Sequence, residues 1–298
     1  MKTIVAGGTG FIGEALAREL LGLGEVVVLS RDPAKVRIGR GVAWGAARGA
    51  WEGELAGATA VVNLAGENIG EGRWTDERKR RLLSSRIEAT RALTAAMASH
   101  PAEGRTFVSA SAIGVYGDRG DEVLAEDAAP GTGVLADICL QWEAAAREAS
   151  ASARVIIPRF GIVLGRDGGA LPKMATPVRF FAGGRIGSGR QWMSWVDLAD
   201  VVRFIRWALE GKDAAGVYNL TAPNPVTNEE LIATLASVMR RPAVVPAPAA
   251  ALRLLLGEAA EELLLASQRV VPRRAEAEGF RFEYREVGAS LRRIYGEG

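Results

Sequence analysis

The chain is poor in the residues that most metal and hydrolase chemistry uses. Among its 298 residues there is one cysteine, Cys139, and one histidine, His100. A single thiol excludes an internal disulfide and a thiolate metal cage. A single imidazole leaves neither a histidine metal site nor a Ser-His-Asp arrangement, so no metal is expected. No apolar run reaches the roughly 18 residues of a membrane span, and no signal peptide precedes the first apolar run. Charge of either sign is not in excess: 37 basic against 35 acidic residues give +2. That balance offers no field for nucleic acid or a membrane surface. The expectation is a cytoplasmic monomer or homodimer acting on a small molecule, with no nucleic-acid or membrane partner. A hydrophobic content of 48% and a charged content of 24% are ordinary for a globular protein. The length suits one large α/β domain or two modest ones.

Glycine is plentiful, at 36 residues, and the first stretch places it with purpose. Thr3–Ala6 is an apolar run long enough for one buried strand. Gly7, Gly10 and Gly13 follow at regular spacing, and Phe11–Leu23 carries Ile12, Leu16, Leu20 and Leu23 at helical spacing. Val26–Leu29 is a second buried-strand run. Strand, glycine turn, helix and strand within about 30 residues make one βαβ unit. One glycine lets the chain turn out of the strand, one lets backbone approach a pyrophosphate, and one lets the helix pack on the strand. The helix N-terminus supplies N–H groups to the phosphates. At the end of the second strand, where NAD sites usually carry an acid for the ribose 2′-OH, this chain has Ser30–Arg31. Arg31 cannot accept that bond but can pair with a 2′-phosphate, with Ser30 adding a donor. The reading favours NADP(H).

Further strands are expected at Val42–Trp44, Ala60–Leu64, Thr106–Ala110, Arg154–Arg159 and Gly216–Leu220. A loop is expected over Glu67–Trp74, then a helix capped by Thr75 and running to Ser99. Arg78–Arg81 on it reads as a solvated face. Helices are also expected over Val134–Ser150, Val196–Leu209, Thr227–Met239 (with Glu230 completing a capping box), Ala249–Leu265 as an apolar packing element, and Glu286–Tyr295. Gln268–Pro272 and Phe280–Tyr284 are β-prone. Gly183–Ser194 reads as a substrate-covering loop. A serine after a central strand, as at Ser109–Ser111, sits where open α/β sheets bind ligands.

These residues resemble the extended short-chain dehydrogenase/reductase superfamily, and within it the epimerase-family proteins related to nucleoside-diphosphate-sugar epimerases and labelled cell-division-inhibitor-like. The carrying stretches are GGTGFIG at Gly7–Gly13, NLAGENIGEGRW at Asn63–Trp74, SRIEATR at Ser85–Arg91, SASAIGVYG at Ser109–Gly117 and RFGIVLGRDGGAL at Arg159–Leu171. GSGRQWMSWVDLADVV at Gly187–Val202 and YNLTAPNPVTN at Tyr218–Asn228 extend it. The resemblance implies an α/β, Rossmann-type doubly wound parallel sheet with a smaller C-terminal α/β substrate lobe. Residues 1–165, with 195–222 returning to them, would bind NADP(H), and 166–194 with 223–298 would form the lobe. It implies cofactor contacts at Gly7, Thr9, Gly10, Phe11, Ile12, Gly13, Ser30, Arg31, Leu64, Ala65, Gly66, Arg86 and Ser109. Substrate contacts would come from Asn68, Trp74, Arg190 and Trp192.

The superfamily's chemistry uses a serine and a Tyr-x-x-x-Lys pair on one helix face. This sequence lacks the pair: none of its four tyrosines has lysine four residues on. Taking Glu143 as the glutamate that commonly follows the motif puts Leu135 and Cys139 at the tyrosine and lysine positions. Leu135 has no proton to give, and Cys139 lacks the fixed charge. Asp197 also stands where the family often has histidine. A proton donor would have to come from Ser111, Tyr116 or Glu67. Two readings follow: an epimerase-like, NADP-dependent oxidoreductase acting on a nucleotide sugar or other small carbonyl or hydroxyl compound, or a non-catalytic NADP(H) sensor that binds a partner.

Overall fold

Seven strands form one parallel sheet: β1 (Lys2–Ala6), β2 (Glu25–Ser30), β3 (Arg40–Ala43), β4 (Ala60–Asn63), β5 (Thr106–Ser109), β6 (Arg154–Phe160) and β7 (Gly216–Leu220). The spatial order is β7-β6-β5-β4-β1-β2-β3, with the short Ser111–Ala112 pair also bonded to β6. The computed structural model describes residues 1–211 and 213–296. The chain winds outward from β1 through β2 and β3, then crosses to β4 on the other side of β1. The β1/β4 junction is therefore the switch point of a doubly wound sheet.

The strands are continuously apolar because both faces are covered. On one face Val5, Val28, Val62, Val108 and Ile156 meet Leu16 and Leu20 of α1 (Phe11–Leu20). Val201, Phe204 and Ile205 of a later helix (Leu198–Glu210) close that side. On the other, Ile4, Ala6, Val27, Leu29, Val61, Phe107 and Ile157 meet Ala89, Leu93, Ala96 and Met97 of α2 (Asp76–Ser99). Ala146 of α3 (Val134–Arg147) joins them there. Strand residues alternate between the two layers, as the two-residue side-chain period requires.

The longer helices that follow are α4 (Leu171–Arg179), α5 (Leu198–Glu210), α6 (Asn228–Met239), α7 (Ala249–Leu256) and α8 (Val287–Tyr295), with short helical turns at Glu258–Ala260 and Arg273–Ala277. α4, α6 and α8 share a separate core with Met193 and Trp195. The capping box of α6 is present: Thr227 Oγ1 accepts from Glu230 N–H, and Glu230 accepts from Thr227 N–H at 2.7 Å. Asp197 is the N-cap of α5 and also takes Arg293 at 2.7 Å and Ser290 at 2.6 Å, so it ties the C-terminal helix to the sheet domain.

Two expectations are corrected. Ala249–Leu265 is not one packing helix. α7 buries none of its residues, Gly257 at φ +62° breaks it, and a π-helical turn follows over Glu261–Leu265. Phe280–Tyr284 forms no strand. Phe280 stacks edge-on with Phe282 at 4.8 Å and with Phe204 at 5.2 Å and lies 5.8 Å from Trp207, and Asp200 accepts from the Glu283 and Tyr284 N–H groups at 2.9 Å. Trp44 also lies past the end of its strand, which covers Arg40–Ala43.

Candidate functional site

The chain leaves β1 at Gly7, which has φ +80°. A Cβ there would lie 2.8 Å from the Leu64 carbonyl carbon and 2.9 Å from Ala65 N, so glycine lets the two strand ends of the switch point close on one another. Gly10 N–H donates to Gly7 O at 3.0 Å, completing a tight turn. A Cβ on Gly13 would sit 2.2 Å from Gly7 O, so helix α1 packs here only with glycine. α1 begins after Gly10 with no side-chain cap. Its first N–H groups, beside the exposed Thr9 and Gly10 and the half-buried Phe11 and Ile12, are thus open to an anion. The Phe11 ring itself packs beneath a glycine loop: Cβ atoms on Gly165 and Gly168 would meet it at 2.4 and 2.5 Å. Gly8, not singled out in the sequence, packs on Val28.

Beyond β2, Ser30 Oγ accepts from Asp32 N–H at 3.2 Å and donates to Asp32 O at 3.0 Å, which fixes the turn. Arg31 is exposed and makes no hydrogen bond or ion pair among the described residues. At the end of β4, Asn63 Oδ1 takes Ala65 N–H at 3.2 Å. Asn63 Nδ2 donates to Thr90 at 2.9 Å and lies 3.4 Å from Ser109 Oγ, so Ser109 is buried in the sheet edge. Arg86 lies against Gly66, donates to Glu67 O at 2.9 Å, and stacks 5.2 Å from the Trp142 ring. Burial lowers its pKa, chiefly by desolvation. It holds the loop that follows β4.

Of the three proton-donor candidates, Ser111 and Tyr116 share one buried network and Glu67 lies apart. Ser111 is 1% exposed and donates to Glu143 Oε1 at 2.9 Å. Glu143, also 1% exposed, is gripped by Arg159 through bonds of 2.7 and 3.0 Å and by Arg147 at 2.9 Å. Desolvation works to raise the Glu143 pKa, but the Arg159 guanidinium outweighs it and the net shift is downward. Arg159 also donates to the Tyr116 hydroxyl at 2.8 Å, and that hydroxyl donates to Asn219 Oδ1 at 2.7 Å. Tyr116 is 0% exposed, and burial raises its pKa. Tyr116 and Ser111 thus both lie in one buried network organised by Glu143 and Arg159. Glu67 lies elsewhere, with its carboxylate taken up by Arg78 at 2.7 Å and Arg81 at 3.7 Å. Cys139 is buried beside Ser111, and burial with the nearby Glu143 charge pushes its thiol up to about 11. It supplies no cation.

The substrate candidates are also dispersed. Trp74 is buried with Leu82, Ile138 and Ala259, and its Nε1 donates to Ile69 O at 3.0 Å. Trp192 donates to Asp121 at 2.8 Å and lies under Arg269 at 4.3 Å, anchoring the lobe to the acidic loop. Asn68 spends its amide on Glu71 and Gly70 N–H. Arg190 is exposed, its backbone N–H bound to Ser188 Oγ. Among residues the sequence did not flag, Lys173 of α4 reaches Gly70 O at 2.6 Å, and Glu262 reaches the N-terminus of α3. Neither lies in a pattern that marks it, since each partner is a distant backbone atom. Among the described residues, no group of three or more His, Cys, Asp or Glu side chains could hold a metal, and no helix is long and apolar enough to cross a membrane.

Comparison with known proteins fits this architecture. The sequence model of the NAD dependent epimerase/dehydratase family matches residues 3–221, and a domain of unknown function (DUF1731) matches 247–294. The epimerase family protein ML0860 of Mycobacterium leprae is 40% identical over 291 residues, covering 96% of this chain and 93% of that one. The chloroplastic homolog of epimerase family protein SDR39U1 from Arabidopsis thaliana is 41% identical over 305 residues, covering 99% and 86%. The crystal structure of human epimerase family protein SDR39U1, solved with NADPH, superposes with a TM-score of 0.90 at 34% identity over 100% of both chains. Matched by the family over most of its length and by near full-length relatives, the chain belongs to the NAD dependent epimerase/dehydratase family.

Proposed function

We propose that this protein binds NADP(H) across the β1/β4 switch point and uses it as an oxidoreductase of the extended short-chain dehydrogenase/reductase type. The observation that carries the reading is the turn at Gly7–Gly13, where Cβ-free backbone and an uncapped α1 N-terminus meet at the switch point. The NADPH in the human SDR39U1 structure supports it. The exposed Arg31 at the end of β2 would take the 2′-phosphate, and Leu64, Ala65, Gly66 and Ser109 would lie along the adenosine and nicotinamide ribose.

Hydride transfer in this chain would proceed without a side-chain proton relay of the usual type. Leu135 and Cys139 stand where the superfamily's tyrosine and lysine would be, and Ser111 and Tyr116 are held in the buried Glu143–Arg159 network. The substrate would be a nucleotide sugar or other small carbonyl or hydroxyl compound: a carbonyl would take hydride from NADPH and a proton from solvent, and a hydroxyl would give hydride to NADP+ and its proton to solvent. The same observation favours a second reading, an NADP(H)-binding sensor without turnover. Spectrophotometry at 340 nm separates them. NADPH-loaded protein is mixed with a panel of aldehydes, ketones and nucleotide sugars. Steady oxidation of NADPH by one class supports the enzyme, and none with any class leaves the sensor.

A further inference from the structure

A carboxylate from the C-terminal region sits on the sheet domain at the same edge as the proposed site. Glu262 accepts from Val134 N–H at 2.6 Å and from Leu135 N–H at 2.7 Å, the first two amides of α3. The place is shaped for it: Gly133 has φ +116°, and a Cβ there would lie 2.8 Å from Glu262 Oε1. Around this contact Leu256, Leu263, Leu135 and Ile69 of the loop that leaves β4 all pack against one cluster of Trp74, Leu82, Ile138 and Ala259. The segment carrying Glu262 therefore covers the carboxyl edge of the sheet beside the switch point, where open α/β sheets bind ligands.

The same segment has few polar ties to the sheet domain between two anchors. Upstream it is anchored where Ala247 pairs with Arg185 and Gly187, and downstream at Ser267, which bonds Asp118, Arg119 and Gly120, and Gln268, which bonds Ile113 and Gly117. Between these anchors α7 buries nothing, Gly257 has φ +62°, Ala259 packs with Trp74, Leu82 and Ile138 beside the buried Ala260, and Glu261–Leu265 is a π-helical turn, a form that recurs at functional sites. Besides Glu262, its polar tie to the sheet domain is Lys79–Glu258 at 3.0 Å, a surface pair of small worth. Gln191 holds Leu264 O at 2.9 Å on the lobe's own side.

We propose that residues 257–266 are a lid over the substrate end of the cleft, latched shut by the Glu262 carboxylate on the N-terminus of α3. The assignment of that end to substrate rests on the NADP(H) reading above. Entry of a substrate requires the two N–H···O bonds to break and Leu256, Ala259 and Leu263 to lift from the cluster around Trp74, Leu82 and Ile138.

The test is hydrogen–deuterium exchange read by mass spectrometry on the full chain, wild type, Glu262→Ala and Glu262→Gln, with and without saturating NADPH. The expected result for Glu262→Ala is exchange about tenfold faster in peptides covering 133–137 and 256–266, the factor set by losing one net charge-assisted hydrogen bond. Peptides covering 106–109 and 154–160 should be unchanged, which excludes global unfolding. Glu262→Gln, which keeps one acceptor, should fall between. With NADPH bound, acrylamide should quench the cofactor's fluorescence more strongly in Glu262→Ala than in wild type. Equal exchange at 256–266 in all three proteins would overturn the lid. If NADPH does not bind, the cofactor reading fails, and exchange on the cofactor-free protein still decides the latch.

Discussion

Replacing Arg159 with methionine keeps the apolar stem and removes the guanidinium. It deletes two bonds to Glu143, of 2.7 and 3.0 Å, and one of 2.8 Å to Tyr116. The Glu143 carboxylate would then be buried with Ser111 and the half-exposed Arg147 as its remaining donors. Breaking a buried pair by removing one partner costs about 3 to 5 kcal/mol. Arg147 places this case at the lower end. At about 2 °C per kcal/mol for a chain of this size, Tm should fall by about 6 °C at pH 8. The deficit should depend on pH with a definite sign. In the wild type the Glu143 pKa is depressed, so its contribution is present above the ordinary carboxylate range and lost as pH falls through the depressed value. In the variant, burial is opposed more weakly and the pKa rises. The penalty is then present at pH 8 and relieved as Glu143 takes up a proton toward pH 5. Thermal unfolding followed by circular dichroism at both pH values measures this. A Tm difference that is the same at pH 8 and pH 5, or below about 1 °C, would refute the claim that a buried ion pair organises these residues.

Ser111→Ala should cost about 1 to 3 kcal/mol in stability by leaving Glu143 short of a donor, and should leave the turnover of any substrate found intact, checked by unfolding and steady-state assay together. Gly13→Ala, whose methyl would meet Gly7 O at 2.2 Å, should abolish NADPH binding and lower Tm, and calorimetry that finds normal affinity would count against the turn as the phosphate site. Thr227→Ala should destabilise by about 1 kcal/mol through loss of the α6 cap, seen as a small Tm shift with unaltered cofactor binding.

The parts of the fold that were legible in the sequence are those fixed locally. Buried-strand runs, the glycine turn and the helical spacing of Leu16 and Leu20 act within one βαβ unit, and the Thr227–Glu230 box marks its own helix start. The alternation of Phe280–Tyr284 suits a strand, but Phe204 and Trp207 claim Phe280, and Phe282 stacks on Phe280. Ala249–Leu265 was read as one helix because apolar content hid the break at Gly257, whose φ of +62° no pattern reveals. The site divides the same way. The turn could be placed from spacing alone. Tyr116 could not, because a short 3-10 turn swings its ring inward onto Arg159, a residue 43 positions away. Glu262 lies 128 positions from the helix it caps, and only the folded chain joins them.

The central claim is that the β1–α1 turn and Arg31 together form an NADP(H) site. It is tested most directly by calorimetric titration of the wild type and Arg31→Ala with NADPH and with NADH. The account predicts that wild type prefers NADPH by about 1.5 to 3 kcal/mol, the worth of a charge-assisted bond or two, and that Arg31→Ala loses that preference while holding NADH as before. Equal affinity of the wild type for both cofactors, or no binding of either, would contradict it.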